Sequence, residues 1–258
     1  MNTSTCNGRQ AGLSAGLREE VAAALSGESL GLLLYGSQAR GSAEVDSDVD
    51  VLQVVSIGSG AYKSGRVAVT AYTPAHLHQM AGQGSLFILH LLVDGVLLSD
   101  PAGILRVALD AYVPPPSYDS LHAALREAAA VLLVQGTEFD EYRQAIGRMG
   151  IYLLRTHLYA NCAAAGRPVF DVELAAESAS PHTLQVLRLR RAPRLSDTDV
   201  RAIQAELVDF FQVRPRDELL ADAAVRLAGA NPHAAGLIGQ VISHGATMDY
   251  NAFPLPPL

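Results

Sequence analysis

Two carboxylates separated by a single residue, Asp48 and Asp50, follow a glycine-serine pair, Gly36-Ser37, after ten intervening residues in the stretch LLLYGSQARGSAEVDSDVDVLQVV. In extended chain the i, i+2 spacing aims both aspartates at one face and sends Val49 and Val51 to the other, core-facing side. Neighbouring carboxylates repel, so the pair is costly without a cation. Mg²⁺ suits it, being a hard ion held by one or two carboxylates together with phosphate oxygens and water. Gly36 permits a tight turn and a close backbone approach to a ligand. Ser37 is placed to cap a short following helix, whose free N–H groups favour an anion, and Gly41 is placed to end that helix. A phosphate cradle beside Mg²⁺-binding carboxylates is what phosphoryl transfer requires, a chemistry run by positioning and electrostatic stabilisation. A two-ion site would space its ions about 3.5–4 Å apart and clamp the attacking and leaving oxygens.

With an apolar strand before it, Ala39-Arg40-Gly41 inside it and Ser47 ahead of the aspartates, this segment resembles the GS-x10-DxD signature of the nucleotidyltransferase superfamily, the DNA polymerase β type. That superfamily includes the aminoglycoside adenylyltransferases and the minimal nucleotidyltransferase antitoxins. The motif covers some twenty-five residues, and the resemblance extends over about Leu30 to Leu109. It implies that Asp48 and Asp50 hold Mg²⁺, that Gly36 and Ser37 grip the phosphates of ATP or another NTP, and that Arg40 belongs to the same nucleotide site. The implied activity is transfer of a nucleoside monophosphate, AMP from ATP, to a hydroxyl of a small acceptor such as an aminoglycoside. A protein or tRNA acceptor and a catalytically degenerate binding module are the alternatives. Family members usually carry a third carboxylate on a later strand. The matching strand here, RVAVTAY, presents Ala68 at that position, and no Asp or Glu lies between Asp50 and Asp94.

Other residues invite weaker readings. Asp46 reads as a turn residue rather than a third ligand. Arg40 can meet phosphate or pair with Glu44. His90, within FILHLLVDG, reads as a hydrogen-bonded core histidine before an acid–base group, and His76 and His78 diverge on a helix. Glu127, Glu138, Asp140 and Glu141 are acids that a helical domain could bring to the site. Arg148, Arg155 and His157 have a superficial likeness to the Arg/His motifs of helical ribonuclease toxins, at an unconvincing spacing.

The elements that must position the site follow from periodicity. A helix is expected over Ala11–Leu25, strands at Leu30–Gly36, Asp48–Val55 and Arg66–Tyr72, and a helix opened by Pro74. A helix over Ser85–Val93, a strand at Val96–Leu98 and a helix opened by Pro101 complete a mixed-sheet domain over 1–113. The run YVPPPSY, Tyr112–Tyr118, forbids helix and reads as an extended linker. Beyond it lies an all-helical domain, 119–258. Long helices are expected at Ser120–Gln135 and Glu138–Ala165, and shorter ones at Asp171–Ser178, Thr183–Arg190, Asp197–Phe211, Asp217–Ala228 and after Pro232. The class is α+β.

Composition narrows the partners. Of 258 residues, 49% are hydrophobic and 17% charged, which excludes extended disorder. A net charge of −7 without a Lys/Arg run argues against duplex DNA, while an acidic cleft would draw a cationic acceptor. Two cysteines, Cys6 and Cys162, cannot build a disulfide framework and fit a reducing compartment. No signal-peptide pattern opens the chain, and the apolar run Leu86–Leu98 is too short to cross a bilayer. The expectation is a cytoplasmic protein without a membrane partner.

Overall fold

The computed structural model describes residues 14–45 and 47–244. Asp46, Cys6, the start of the helix expected from Ala11 and the C-terminal FPLPPL lie outside the described residues. The described chain divides into two units, one of residues 14–116 with the short segment 168–171, the other of residues 117–167 with 172–244. The class is α+β, a five-stranded mixed sheet followed by helices.

In the first unit the strands are β1 (Gly31–Tyr35), β2 (Val49–Val54), β3 (Gly60–Ser64), β4 (Val67–Tyr72) and β5 (Val96–Ser99). Their order is β3-β4-β2-β1-β5, with β2 and β4 parallel and the other pairs antiparallel. Alternation divides the side chains between two faces. Leu34, Val49, Val51, Val67, Val69 and Val96 form a core with Val21 and Ala24 of helix α1 (Ala15–Ala24). On the opposite face, Tyr35 and Tyr72 set their rings edge-on to Phe87, with centroids 5.5 and 5.9 Å away. That face is covered by α3 (Pro74–Gly82), α4 (Leu86–Asp94) and α5 (Ile104–Asp110), while the short α2 (Gly36–Arg40) follows β1 directly.

Several boundaries depart from the periodicity reading for identifiable reasons. The Ser14 side chain accepts from Leu17 N and starts α1 there. Pro101 does not open α5. The Asp100 carboxylate accepts from Leu105 N and Arg106 N, so the proline sits in the turn ahead of the helix. Strand β3 has no counterpart in the sequence reading, because an edge strand of Gly, Ala, Tyr, Lys and Ser exposed on both faces carries no apolar alternation. A two-residue loop, Gly65-Arg66, folds it onto β4, with Gly65 at φ 58°. It is anchored by Tyr62, whose hydroxyl donates to Gln53 Oε1 at 2.8 Å; buried Gln53 in turn donates to Ser26 O and Ser29 Oγ. The first part of the proline-rich run packs rather than dangles. Val113 N donates to Ala81 O, and a Cβ on Gly84 (φ 71°) would strike Val113 O and Pro115.

The second unit contains α6 (Asp119–Val131), α7 (Gly136–Ala164), α8 (Val172–Ala175), α9 (Pro181–Arg188), a 3-10 turn (Leu189–Arg191), α10 (Asp197–Phe211), α11 (Leu220–Ala230) and α12 (Pro232–His244). Among the described residues no strand follows Ser99, and no helix is long and apolar enough to cross a membrane. Helix α7 passes through Gly147 and Gly150 without a break. A Cβ at either would meet Leu195, Ile203 or Val200 at 2.5–3.0 Å, so these glycines let α10 and Leu195, two residues ahead of it, press against the α7 backbone. Ser196 and Asp199 form a reciprocal capping box that starts α10.

Two clusters of polar groups buried here are paired, as burial favours. The Glu206 carboxylate, 4% exposed, takes hydrogen bonds from Thr183 and His182. The Nδ1 atoms of His122 (α6) and His157 (α7) lie 2.9 Å apart, with Phe210 and Phe211 edge-on to His157. That contact needs one N–H and one lone pair, so protonating both Nδ1 atoms breaks it. Burial, and then the charge of His122, push His157 down to about 4, and burial lowers His122 as well. An unfolded chain would take up protons from about pH 6.5 downward that the folded pair refuses. Stability is therefore present above pH 6.5 and declines as the pH falls toward 4. Urea unfolding at pH 7, 6 and 5 is expected to show this slope, and His157→Gln to flatten it; an equal slope in both proteins would refute the assignment.

Candidate active site at the Gly36 turn

Strand β1 delivers the chain to Gly36, which turns at φ 74° into α2. Opposite it, β2 places Asp50 across from Tyr35 in the antiparallel register. The Asp50 carboxylate lies directly over Gly36: a Cβ built there would fall within contact of Asp50 Oδ2. Gly36 is thus required twice, for its left-handed backbone and for the carboxylate above it. Ser37 does not cap α2. The N-cap is Tyr35, which makes no side-chain capping bond, and Ser37 lies inside the first turn with its carbonyl accepting from Ser42 N at 3.0 Å. Gly41, at φ 76°, ends the helix.

Asp48 immediately precedes β2, and Lys63 Nζ lies 3.0 Å from its Oδ1 and 3.2 Å from its Oδ2. Lys63 pairs with Ala68 across β3–β4, and Ala68 pairs with Asp50 across β4–β2, so these three residues share one face of the sheet. Reached from that face, Asp48 lies on the same side as Asp50, while Val49 between them is fully buried on the other. The position beside Asp50 on the neighbouring strand is therefore a methyl group, with a lysine one strand further out.

Arg40, at the end of α2, is engaged by carboxylates other than Glu44. Its Nη1 donates to Asp94 Oδ2 at 2.7 Å and its Nη2 lies 3.7 Å from Asp171 Oδ2. Asp94, 7% exposed at its side chain, also lies 3.2 Å from His90 Nε2 one helical turn earlier. Burial drives the Asp94 carboxyl upward, but the hydrogen bonds and charges of His90 and Arg40 outweigh it and hold Asp94 below the usual carboxylate range. His90 stacks on Phe170, centroids 4.5 Å apart, and meets Tyr35 edge-on at 5.5 Å. The core reading of His90 thus has a physical basis in an aromatic and ionic cluster behind the Gly36 turn.

The other acids have separate duties. Glu127 pairs with Arg216, and Glu138 accepts from Leu220 N. Arg148 donates to the carbonyls of Arg190, Ala192 and Pro193, Arg155 lies over the rings of Tyr152 and Tyr159, and His157 belongs to the His122 pair, so these three serve different contacts. His76 packs on Tyr72. Among the described residues no group of three or more His, Cys, Asp or Glu side chains converges as a metal cage. The sequence reading missed Lys63, although the Gly65-Arg66 turn before RVAV could have placed it opposite Ala68. It also passed over Asp94, noted only as the next acid after Asp50.

The chain matches no known protein-family model and no curated protein. Geometry alone carries the site, and its tightest point can be tested. Gly36→Ala must accept both a left-handed backbone and a collision with Asp50; it is expected to lose roughly 1–3 kcal/mol in urea unfolding. Gly41→Ala has a similar φ but open space around it, and is expected to lose only the backbone share. Equal losses in the two variants would remove the carboxylate contact from the explanation.

Proposed function

We propose that the first unit binds a Mg²⁺-bound nucleoside triphosphate at the Gly36 turn and transfers its nucleoside monophosphate to an acceptor hydroxyl. The observation that carries this reading is the Asp50 carboxylate seated over Gly36, with Asp48 two residues away on the same side of the sheet. Two hard oxygen donors on one face form a donor set that suits Mg²⁺. The ion, when bound, would neutralise charge on the phosphate oxygens. Asp48 and Asp50 would hold it, and Gly36 and Ser37 would lie along the triphosphate. In the transfer, the acceptor hydroxyl oxygen forms a bond to the α-phosphorus and releases its proton to solvent, the bond from that phosphorus to the α,β-bridging oxygen breaks, and pyrophosphate leaves. The net charge of −7 favours a cationic small acceptor, such as an aminoglycoside, with ATP as the donor. Arg40 is bound to Asp94 and Asp171, so its support of the nucleotide site is indirect, through the end of α2.

A second reading, a module that binds nucleotide without turnover, is favoured by Ala68. It occupies the place beside Asp50 where a third carboxylate would serve as ligand or base. Incubation with α-labelled ATP, Mg²⁺ and a panel of aminoglycosides, proteins and RNAs separates the two. The enzyme reading expects a labelled product that falls at least a hundredfold in Asp50→Asn, the scale of losing a group that stabilises the transition state. Binding of ATP without any labelled product supports the module, and absence of both removes the site.

Ala68→Asp installs the acid in register with Asp50. A further carboxylate at such a distance is worth on the order of 1 kcal/mol or more at an effective protein dielectric. In the Lys63→Met background, where no ammonium can take up the new carboxylate, the variant is expected to bind Mn²⁺ several-fold more tightly in a calorimetric titration, and unchanged affinity would show that position 68 does not face the ion.

A further inference from the structure

We infer that Lys63 is a tethered counter-ion of the aspartate pair, a side chain that competes with divalent cations for Asp48. The inference rests on the proposed reading that Asp48 and Asp50 bind such a cation. Its own support is the geometry of the ammonium. Nζ lies 3.0 and 3.2 Å from the two oxygens of Asp48, so it straddles the whole carboxylate instead of leaning on one oxygen. A metal ion needs those same oxygens.

The approach route is built into the sheet. Lys63 starts on the edge strand β3, two strands from β2, a separation of roughly 10 Å. Between them lies β4, where the register partner of Lys63 is Ala68, which offers only a methyl group. A carboxylate at position 68 would stand in that path and bind the ammonium itself. The alanine and the lysine are therefore one arrangement: a small residue on β4 opens the crossing, and the cation on β3 uses it. Tyr62, on the other face of β3, fixes the edge strand through buried Gln53 and so sets where the lysine begins.

Charge and exposure set how this pair behaves. Two carboxylates bring two negative charges to one side of the sheet, and the lysine offsets one of them. The pair is partly open to water, with side-chain exposures of 42% for Lys63 and 28% for Asp48. Ion pairs that exposed hold only weakly and exchange readily. A cation arriving alone must displace the ammonium and leave it without a partner. A cation arriving on a triphosphate brings phosphate oxygens that can accept the displaced ammonium, so Lys63 favours the metal–nucleotide complex over the bare ion.

The test is Mn²⁺ binding by the full-length protein, read from the electron paramagnetic resonance signal of the free ion, which needs no turnover. Lys63→Met is expected to lower the Mn²⁺ dissociation constant about two- to fivefold, the scale of an exposed ion pair. Lys63→Arg is expected to stay within about twofold of the wild type, because the charge remains. The gain from Lys63→Met is expected to vanish in the Asp48→Asn background. A merely structural lysine would change the urea midpoint without tightening Mn²⁺. Equal or weaker Mn²⁺ binding by folded Lys63→Met overturns the proposal, and Lys63→Gln serves the same comparison if the methionine variant fails to fold. If wild-type binding is absent, or is indifferent to both Asp48→Asn and Asp50→Asn, the metal reading of the pair fails, and this inference with it. Wild-type binding that depends on both aspartates, with no gain in Lys63→Met, overturns the counter-ion role alone.

Discussion

The contact between the Asp50 carboxylate and the backbone of Gly36 is the constraint on which the geometry of the proposed site depends. A carboxylate tolerates so close a neighbour only when that neighbour has no side chain, and the turn there needs a positive φ that glycine alone adopts cheaply. Once that contact is made, the rest of the strand is fixed in phase. Val49 and Val51 must face α1, and Leu52 and Val54 must face the helices on the other side, because side chains alternate strictly along a strand. A one-residue slip of β2 would turn both aspartates toward α1 and the valines toward the helices on the other face. The hydrophobic core and the placement of the carboxylates are therefore one requirement seen from two sides.

The charges around the turn are arranged in two groups of different character. Behind it, Arg40, Asp94, His90 and Asp171 form a largely buried cluster braced by Phe170 and Tyr35. Removing one partner from such a cluster would strand the others without water, so the members hold one another in place. In front of it, Asp48 and Lys63 meet where solvent still competes. Groups that are expensive to separate suit a scaffold, and groups that can exchange partners suit binding. The short α2 joins the two, with Gly36 at its start and Arg40 at its end.

Much of this was legible in the sequence, and what was not has physical causes. The apolar runs of β1, β2 and β4 announced themselves because both faces of a central strand are buried, and Pro74 marked the start of α3 correctly. The family resemblance put Ala68 where a third carboxylate would stand on a later strand, and the sheet pairs that residue with Asp50. Strand β3 escaped because an exposed edge strand has no core pattern to betray it, and with it went Lys63. The capping role given to Ser37 failed for a geometric reason. The chain enters the helix one residue earlier, at Gly36, so the serine already has helical backbone and its hydroxyl is not placed ahead of the first turn. Pro101 misled in the opposite direction, because Asp100 caps α5 from several residues upstream.

The helical unit spends its polar groups differently, and this bears on which residues can do chemistry. Arg148 is buried and donates to three carbonyls of the irregular stretch between α9 and α10, and Gln204 does the same for the two carbonyls at Leu132 and Val134 after α6. Backbone carbonyls in a connector cannot be satisfied by a helix ladder, so a buried side chain that supplies their donors is part of the fold. Glu206 with Thr183 and His182 ties α10 to α9 in the same way. A residue whose donors are all committed to holding a connector cannot leave it for a substrate without exposing those carbonyls unpaired. Arg148, Gln204 and Glu206 are committed to the fold of this unit in that way. The partly exposed carboxylates of Asp48 and Asp50, at the start of the central strand β2, lie outside that connector scaffolding.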